Sequence, residues 1–485
     1  MKKIYTQHTK DTLLGVKWNF LVRVFSQISL FIVGIILMRI LSPSDFGLLA
    51  MITVLTGFFV VFKDFGLGNS LIHKGKIDDL DINTIFWFSL SLGSFLTLLV
   101  FSSSSFIANF YNEPKLVDLT RCISLLFVIG AFGDTHFILL RKNLEYKKIF
   151  IVEISSVIIS SAVALYLAYN NWDVWSLVGM QFSKALTNSI IIWIISEYKP
   201  KFIFSYVRLK EHWKFAYPLL GNKIFNYWTR NSDRFFIGKY LGSEQLGFYS
   251  RANNLIVMPT SQLISVVAPI LFPSFAKIKD DKLRIKKIYL SALRMTTFLI
   301  FPLMGLIFVF AKPMVHTLFG DQWIILIPLI KIFTILGVIE SMTKISGSLL
   351  MSQGNIKTLA TINILLGIGS IIAFFIGSQY NIRIVTWGLI LVFLLYLIPR
   401  LYYGGKSINC NLNEIFQSIL PLFVSTVITI VSTLSINLLL KDLSNFNILL
   451  FGIPTFIVIW IFINFLINRA TIKLFFSLIK KLRKI

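Results

Sequence analysis

The sequence predicts an all-α polytopic membrane protein with about 14 transmembrane helices. Hydrophobic residues make up 56% of its 485 residues, charged residues make up only 14%, and the mean hydropathy is +0.77. A soluble domain carries about 25% charged residues, so this chain lacks the polar surface that a soluble fold of its length requires. The same hydrophobicity excludes intrinsic disorder.

Apolar stretches of about 20 residues, the length that crosses the hydrocarbon core, follow one another along the whole chain. They lie at residues 15–38, 45–68, 84–106, 117–140, 149–169, 173–195, 213–238, 245–271, 288–311, 323–350, 357–378, 384–404, 414–438 and 446–468. Only short polar segments separate them, so we expect no soluble catalytic domain. The basic N-terminus has no cleavage site after a short apolar region, and we expect no signal peptide.

Basic residues outnumber acidic ones, 47 to 22, which gives a net charge of +25. In a soluble protein this excess would suggest nucleic-acid binding. With the N-terminus placed inside, however, the inner segments hold 31 Lys and Arg, the outer segments hold six, and ten lie within spans. This asymmetry predicts a multi-pass protein of the inner (plasma) membrane with both termini cytoplasmic and no nucleic-acid partner.

Two short segments, six spans apart, resemble each other. Residues 39–49 (RILSPSDFGLL) and 239–249 (KYLGSEQLGFY) share a leucine and a glycine at an offset of 200. Because six is even, both copies have the same orientation, as in a parallel repeat about an axis along the membrane normal. The predicted domains are an N-terminal lobe at 1–195, a basic linker at 196–212, a C-terminal lobe at 213–404, two additional spans within 405–468 and a basic cytoplasmic tail at 469–485.

Basic residues inside the apolar spans carry the functional signal. A basic side chain at the bilayer centre costs at least about 2.5–3.5 kcal/mol on insertion scales, so it must snorkel, pair or face a water-filled cavity. Span 1 places Arg23 between Asn19 and Gln27 on one helix face, which favours a cavity over snorkelling. The candidate substrate-binding residues are Arg23, Lys184, Lys223, Arg230, Arg234 and Arg251.

Span 7 is the most unusual segment of the sequence. Its residues Lys223, Tyr227, Arg230 and Arg234 recur at helical spacing and share one face. Lys223 is also the offset-200 partner of Arg23, so the first helix of each predicted lobe carries a basic residue. A structural ion-pair network is the alternative interpretation of this cluster.

Acidic residues within the spans are the candidates for ion coupling. Asp134, Asp233 and Glu340 lie at predicted membrane depth, where an acid is the usual relay for protons or cations. Asp233 could instead neutralise part of the span-7 cluster, and Glu340 could pair with Lys344 four residues later. The two cysteines and five scattered histidines show no ligand spacing, so we expect no metal site, no catalytic residue and no cofactor beyond H⁺ or Na⁺.

The first connection, RILSPSDFGLLAM, and the span 7–8 region, DRFFIGKYLGSEQLGFYSRANNL with a proline-bearing span 8, resemble a known family. This family is the polysaccharide transporter branch of the multidrug/oligosaccharidyl-lipid/polysaccharide (MOP) flippase superfamily, which includes O-antigen, colanic-acid and capsule repeat-unit flippases. The similarity extends over nearly the whole chain in length, span count and layout of six, six and two spans.

This resemblance implies that the protein moves an undecaprenyl-pyrophosphate-linked oligosaccharide from the cytoplasmic to the periplasmic leaflet by alternating access. The pyrophosphate and sugars would cross a hydrated, cationic cavity between the lobes while the prenyl tail stays in lipid. It also implies membrane lipids and other polysaccharide assembly proteins as partners.

Other functions stay open at this point. A drug or cation antiporter of the same superfamily should have acids rather than basic residues in its cavity. A membrane polysaccharide polymerase or ligase should have a sizeable outer loop, whereas the outer loops here are short, the one around residues 107–116 being about ten residues long. A lipid scramblase or scaffold would not explain arginines that share one helix face.

Overall fold

The computed structural model describes residues 2–63, 67–74, 77–439, 443–469 and 471–473 together with residues 475 and 477. Within these residues the regular structure is helical throughout, which confirms the all-α class. The helices are α1 (Lys2–Ile40), α2 (Pro43–Lys63), α3 (Leu67–His73), α4 (Asp79–Ser102), α5 (Ser104–Tyr111), α6 (Leu116–Lys142), α7 (Tyr146–Tyr169), α8 (Val174–Ile195), α9 (Tyr206–Lys277), α10 (Lys282–Met314), α11 (Leu326–Ser352), α12 (Ile356–Ser378), α13 (Ile382–Lys406), α14 (Leu412–Leu439) and α15 (Asn445–Ile467).

Long helices are the expected response of an apolar chain to lipid, because a helix satisfies its backbone hydrogen bonds internally. Twelve helices in the described part of the chain are long and apolar enough to cross a membrane. The two halves of α9, which correspond to predicted spans 7 and 8, are not among them, so the count of fourteen spans is not confirmed. In the first half, the basic residues that define the span-7 cluster lower the hydropathy.

Helix α9 is interrupted at Gly242, where φ is 85° and ψ is 177°. Glycine adopts such a left-handed φ without the steric cost that a Cβ imposes. The interruption lies in the polar connection that the sequence places between spans 7 and 8. The two halves of α9 are therefore separate helical segments.

The chain divides into two compact units, residues 1–247 and 248–485. The first unit contains α1 to α8 and the first half of α9, and the second contains the rest of α9 and α10 to α15. Predicted span 7 thus packs with the first unit, although the sequence assigns it to a second lobe beginning at residue 213. The lobe boundaries themselves stay a prediction.

Small residues allow close helix packing inside the first unit. A Cβ at Gly93 of α4 would lie 2.8 Å from the carbonyl oxygen of Phe127 on α6. One helical turn further along α4, Thr97 Oγ1 donates a hydrogen bond of 3.0 Å to the carbonyl oxygen of Ser124 on α6. Membrane helices are held by such packing and hydrogen bonds rather than by a hydrophobic driving force between them.

In the second unit, α10 is the central helix of an aromatic-rich core. Its residues Tyr289, Phe301 and Phe310 are almost completely buried. The hydroxyl of Tyr289 forms a 2.9 Å hydrogen bond with Ser346 of α11. Gly305 of α10 leaves room for side chains of α14 and α15. These contacts join α10 to three neighbouring helices.

Candidate functional site

The first half of α9 is fixed against α2 and α5 by aromatic side chains. The hydroxyl of Tyr227 donates a hydrogen bond to the carbonyl oxygen of Val54, and its ring lies 6.0 Å from that of Phe58. Directly after the last residue of the basic cluster, Phe235 stacks on Phe110 with ring centroids 5.1 Å apart. Because these rings set the rotation of α9, they also set the direction of its basic side chains.

Two arginines of this helix have guanidinium nitrogens without a hydrogen-bond acceptor among the described residues. Arg230 is exposed and makes no ion pair or hydrogen bond with any described residue. Arg234 is half-buried, and its Nε is buried with no hydrogen-bond partner in the described structure. An unsatisfied buried donor is costly, so this group is suited to a ligand that supplies an acceptor.

The other members of the span-7 cluster also lie on this helix. Asp233 is only 5% exposed, and its Oδ1 accepts a 2.7 Å hydrogen bond from the backbone N–H of Arg234. Lys223 is half-buried, like Tyr227. The structure therefore places the cluster on one helical segment, as the spacing predicts, with the carboxylate of Asp233 next to the Arg234 backbone.

Two further basic candidates lie on other helices of the first unit. Arg23 is exposed on α1, and Lys184 is half-buried on α8. Neither forms an ion pair with a described side chain. Asn188, one turn after Lys184, has a buried Oδ1 without a hydrogen-bond partner in the described structure. The remaining basic candidate, Arg251, is half-buried in the second unit.

Two of the three acidic candidates form ion pairs with lysines. Asp134 of α6 lies 2.8 Å from Nζ of Lys63, which is at the end of α2 and only 11% exposed. In the second unit, Glu340 lies 2.8 Å from Nζ of Lys344, one helical turn later. The sequence spacing indicates the second pair but gives no sign of the first. The coupling role of these acids stays a prediction.

A polar network that the sequence analysis missed holds the start of α9. The carboxylate of Asp81, which is 1% exposed, lies 2.8 Å from Nζ of Lys74 and 3.8 Å from Nε of Arg208. Its Oδ1 also lies 3.3 Å from Nε2 of His212, whose Nδ1 is 2.7 Å from the hydroxyl of Ser70. Burial lowers the pKa of His212, and the hydrogen bond to Asp81 raises the pKa of Lys74. The network anchors the end of the basic linker to α3 and α4.

The two sequence-repeat segments contact each other directly, glycine against backbone. A Cβ at Gly47 would lie 1.7 Å from the carbonyl oxygen of Ser243, and a Cβ at Gly247 would lie 1.9 Å from that of Pro43. Pro43 and Ser243 are themselves offset-200 partners. The contact is thus reciprocal, and it joins the start of α2 to α9 where the two halves of α9 meet.

A buried arginine in the second unit was also missed. Arg400 lies near the inner end of the span predicted over residues 384–404 and was counted with the inner basic residues. The structure places it in α13 with only 7% of it exposed. Its Nη1 donates a 2.9 Å hydrogen bond to Oδ1 of Asn363, and its guanidinium lies 5.4 Å from the ring centre of Tyr396. Gly347 of α11 leaves the space that Nη2 occupies. Three helices create this environment, and no local sequence pattern indicates it.

No group of three or more His, Cys, Asp and Glu side chains in the described ranges is arranged to hold a metal ion. Cys122 and Cys410 are both free thiols. Burial raises the pKa of the Cys410 thiol to about 11. The candidate site therefore consists of basic side chains with neighbouring acids.

A model of the family described as polysaccharide biosynthesis protein matches residues 36–328, more than half of the chain. The chain belongs to this family. The matched range includes both repeat segments and the basic cluster of α9, and the resemblance inferred from the sequence is confirmed.

Three relatives that are named for the biosynthesis of polysaccharides are similar to this chain over much of their length. The lipopolysaccharide biosynthesis protein WzxC of Escherichia coli (strain K12) is 29% identical over 391 residues, 79% of this chain and 78% of that protein. The teichuronic acid biosynthesis protein TuaB of Bacillus subtilis (strain 168) is 26% identical over 86% and 87% of the two chains. The succinoglycan biosynthesis transport protein ExoT of Rhizobium meliloti (strain 1021) is 28% identical over 66% and 64%.

Solved structures show that this family member has a transporter fold. The lipid II flippase MurJ in an inward closed conformation superimposes with a TM-score of 0.75 at 13% identity, over 94% of this chain and 100% of that one. An inward-facing multidrug resistance MATE transporter of the MOP superfamily gives a TM-score of 0.63 at 15% identity, over 79% and 94%. At these identities the likeness establishes the fold alone, which is that of a multi-pass membrane protein.

Proposed function

We propose that this protein is a flippase that moves an anionic lipid-linked oligosaccharide across the inner membrane by alternating access. The observation that carries the proposal is the pair of arginines on α9. Among the residues that the structure describes, Arg230 has no hydrogen-bond or ion-pair partner, and the buried Nε of Arg234 has no hydrogen-bond partner. The relatives named for lipopolysaccharide, teichuronic acid and succinoglycan biosynthesis support a glycan cargo.

The sign and shape of these charges favour a phosphate-bearing ligand. A guanidinium binds phosphate through two parallel hydrogen bonds, which fixes orientation as well as charge. A pyrophosphate linked to undecaprenol carries such an anion next to its sugars. In this proposal the substrate-binding residues are Arg23, Lys184, Lys223, Arg230, Arg234 and Arg251.

The prenyl tail of the cargo stays in the hydrocarbon, because each CH₂ group transferred to water costs about 0.8 kcal/mol. Only the charged and sugar-bearing part then requires a hydrated path. Arg230 and Arg234 exchange hydration for the pyrophosphate oxygens, and Asp233 limits the excess positive charge while the site is empty. Release on the other side requires weaker binding in the second conformation, since a ligand shifts a population only by its differential affinity.

The acid–lysine pairs are the proposed ion-coupling elements. Binding of H⁺ or Na⁺ to Asp134 would release Lys63, and binding to Glu340 would release Lys344. Each release changes the charge inside a helix bundle and so favours a different packing. Asp233 is the third coupling candidate, and no other cofactor is proposed.

The proposed orientation places both termini in the cytoplasm. The support is the asymmetry of the basic residues, which collect in alternate connections. In this orientation the glycan enters from the cytoplasmic leaflet, where other polysaccharide assembly proteins would supply it.

The experiment is complementation of a flippase-null strain with Arg23→Ala or Arg230→Ala, with export of a labelled undecaprenyl-pyrophosphate glycan as the readout. Loss of one charge-assisted hydrogen-bonding group should lower export by roughly tenfold or more. Arg230→Lys should be intermediate, because it keeps the charge but loses the planar fork. The matched control is Arg284→Ala, which removes an exposed arginine at the start of α10.

Protein levels in the membrane are measured alongside export. If both alanine variants export normally at normal levels, the cationic site is wrong. If the wild-type protein restores no export but expels cationic drugs, the flippase proposal itself is wrong and an antiporter is favoured.

A further inference from the structure

A pocket of about 380 Å³ lies in the first unit, where α6 begins and α7 turns into α8. Its volume falls in the range of about 300–1,000 Å³ that is typical of small-molecule sites. Its lining includes Lys115, Asp118, Asn170, Asn171, Trp172 and Trp175. None of them belongs to the cationic set on α1, α8 and α9.

One wall of this pocket is a turn whose backbone conformation is fixed by hydrogen bonds. Asn171 and Asp173 both adopt left-handed backbone conformations, with φ of 60° and 43°, which cost energy in residues other than glycine. The backbone N–H of Trp172 donates to the carbonyl oxygen of Leu167, and that of Asn171 donates to that of Ala168, both at 3.1 Å. The pocket wall is therefore formed before any ligand arrives.

Two tryptophans of the pocket have exposed side chains. Trp172 is 55% exposed and Trp175 is 36% exposed. Their indole N–H groups make no hydrogen bond to any residue that the structure describes. By contrast, Trp87 and Trp193 each donate a 2.8 Å hydrogen bond from the indole to a backbone carbonyl oxygen. The pocket tryptophans thus have both a ring face and a donor available.

The remaining lining groups combine amides and charges with the apolar side chains of Leu119 and Val174. The side-chain amide N–H of Asn170 donates a 2.7 Å hydrogen bond to the carbonyl oxygen of Tyr166, which leaves its amide oxygen for a ligand, and Asn171 offers a second amide. Asp118 offers a largely exposed carboxylate that lies 3.7 Å from the guanidinium of Arg121, and Lys115 offers an ammonium group. A membrane-interface belt explains exposed tryptophans near span ends. It does not explain a preformed cavity in which tryptophans stand beside paired asparagines.

We propose that this pocket binds a sugar ring of the translocated glycan, a proposal that rests on the flippase function. The apolar C–H face of a pyranose packs on an indole ring, as aromatic side chains pack on other flat apolar surfaces. Asn170, Asn171 and Asp118 then bond its hydroxyl groups, which leaves no buried polar group unpaired. In the proposed orientation the pocket faces outward and holds the glycan as it leaves the cationic site.

The test is binding of the repeat-unit oligosaccharide, freed from its lipid by mild acid, to the full-length protein in lipid nanodiscs. Detergents with sugar head groups are avoided because they would compete. Saturation-transfer NMR should show contact with sugar C–H protons, and Trp172→Ala should weaken binding by roughly tenfold. Trp172→Phe keeps an aromatic face and the fold, and it should weaken binding less.

The matched control is Trp387→Ala, which removes a tryptophan of α13 that is 51% exposed. The proposal predicts unchanged oligosaccharide binding in this variant. Equal loss in Trp172→Ala and Trp387→Ala, or no binding to the wild-type protein, would overturn the sugar site. The flippase function is judged separately, because export of the lipid-linked glycan and its loss in Arg230→Ala do not depend on this pocket.

Discussion

Some charged side chains within the helices form ion pairs, and others have no ion-pair partner among the described residues. Asp134 and Glu340 are held by lysines at 2.8 Å, whereas Arg23 and Arg230 have no partner among the described residues. Helical spacing was sufficient to predict the Glu340 pair. It could not predict the partner of Asp134, because Lys63 comes from a helix far away in the sequence.

Asp134→Asn should destabilise the protein, because it leaves the ammonium of Lys63 largely buried and unpaired. Half-exposure of the carboxylate reduces the effect, and we expect a loss of roughly 1–3 kcal/mol. The measurement is the thermal unfolding midpoint of the purified protein, compared with Lys63→Gln and with the double variant Lys63→Gln/Asp134→Asn. The double variant should recover most of the stability.

Export in the same three variants separates structure from coupling. If Asp134 binds the coupling ion, export stays low in the double variant although its stability has recovered. Recovery of export together with stability would assign Asp134 a purely structural role and contradict the coupling prediction.

Arg400 and the basic cluster of α9 show why site prediction succeeds on one helix and fails between helices. Lys223, Arg230 and Arg234 repeat with the period of a helix, so their shared face follows from sequence spacing. The burial of Arg400 depends on Asn363 and on Gly347, which come from two other helices. The sequence near residue 400 shows only a single arginine near the end of an apolar span, where snorkelling is the ordinary expectation.

At the scale of elements, the meeting of α2 with α9 depends on two glycines. Gly47 and Gly247 each lie against a backbone carbonyl group of the other segment. Backbone atoms cannot move aside as a flexible side chain can, so any Cβ must separate the two segments. The repeat was visible in the sequence, but its reciprocal contact was not.

Gly47→Ala and Gly247→Ala should each destabilise the first unit. Overpacking of a close contact costs about 1–3 kcal/mol, and we expect a lower thermal unfolding midpoint and less protein in the membrane. Gly34→Ala is the matched control, because a Cβ there has nothing within 4 Å. It should leave stability unchanged or slightly raised, since alanine favours a helix over glycine by about 1 kcal/mol.

An unchanged midpoint in both Gly47→Ala and Gly247→Ala would contradict the close approach of the two segments. Loss of stability in Gly34→Ala of the same size would indicate that any added methyl group is harmful, which would remove the special role of the contact.

At the scale of the whole molecule, helix α7 provides a direct test of orientation. Asn143 precedes it and Asn170 follows it, and both side chains are exposed. With both termini cytoplasmic, residue 143 faces the cytoplasm and residue 170 faces outward. The prediction uses single cysteines, Asn143→Cys and Asn170→Cys, in a protein whose Cys122 and Cys410 are replaced by alanine.

A membrane-impermeant maleimide should label Asn170→Cys in cells whose inner membrane is intact. It should label Asn143→Cys only after the membrane is permeabilised. The opposite pattern would contradict the positive-inside assignment and would place the tryptophan pocket on the cytoplasmic side.

The sequence by itself determined the fold class, the transporter family and the basic face of α9. Hydropathy and helical period are local properties, and a helix in lipid satisfies its own backbone, so neighbouring residues are enough to predict them. Only the tertiary structure decided the Lys63–Asp134 pair, the burial of Arg400, the contact of Gly47 with Ser243 and the tryptophan pocket. Each of these depends on which distant helices or turns pack together, and packing is set by the shapes of many side chains at once.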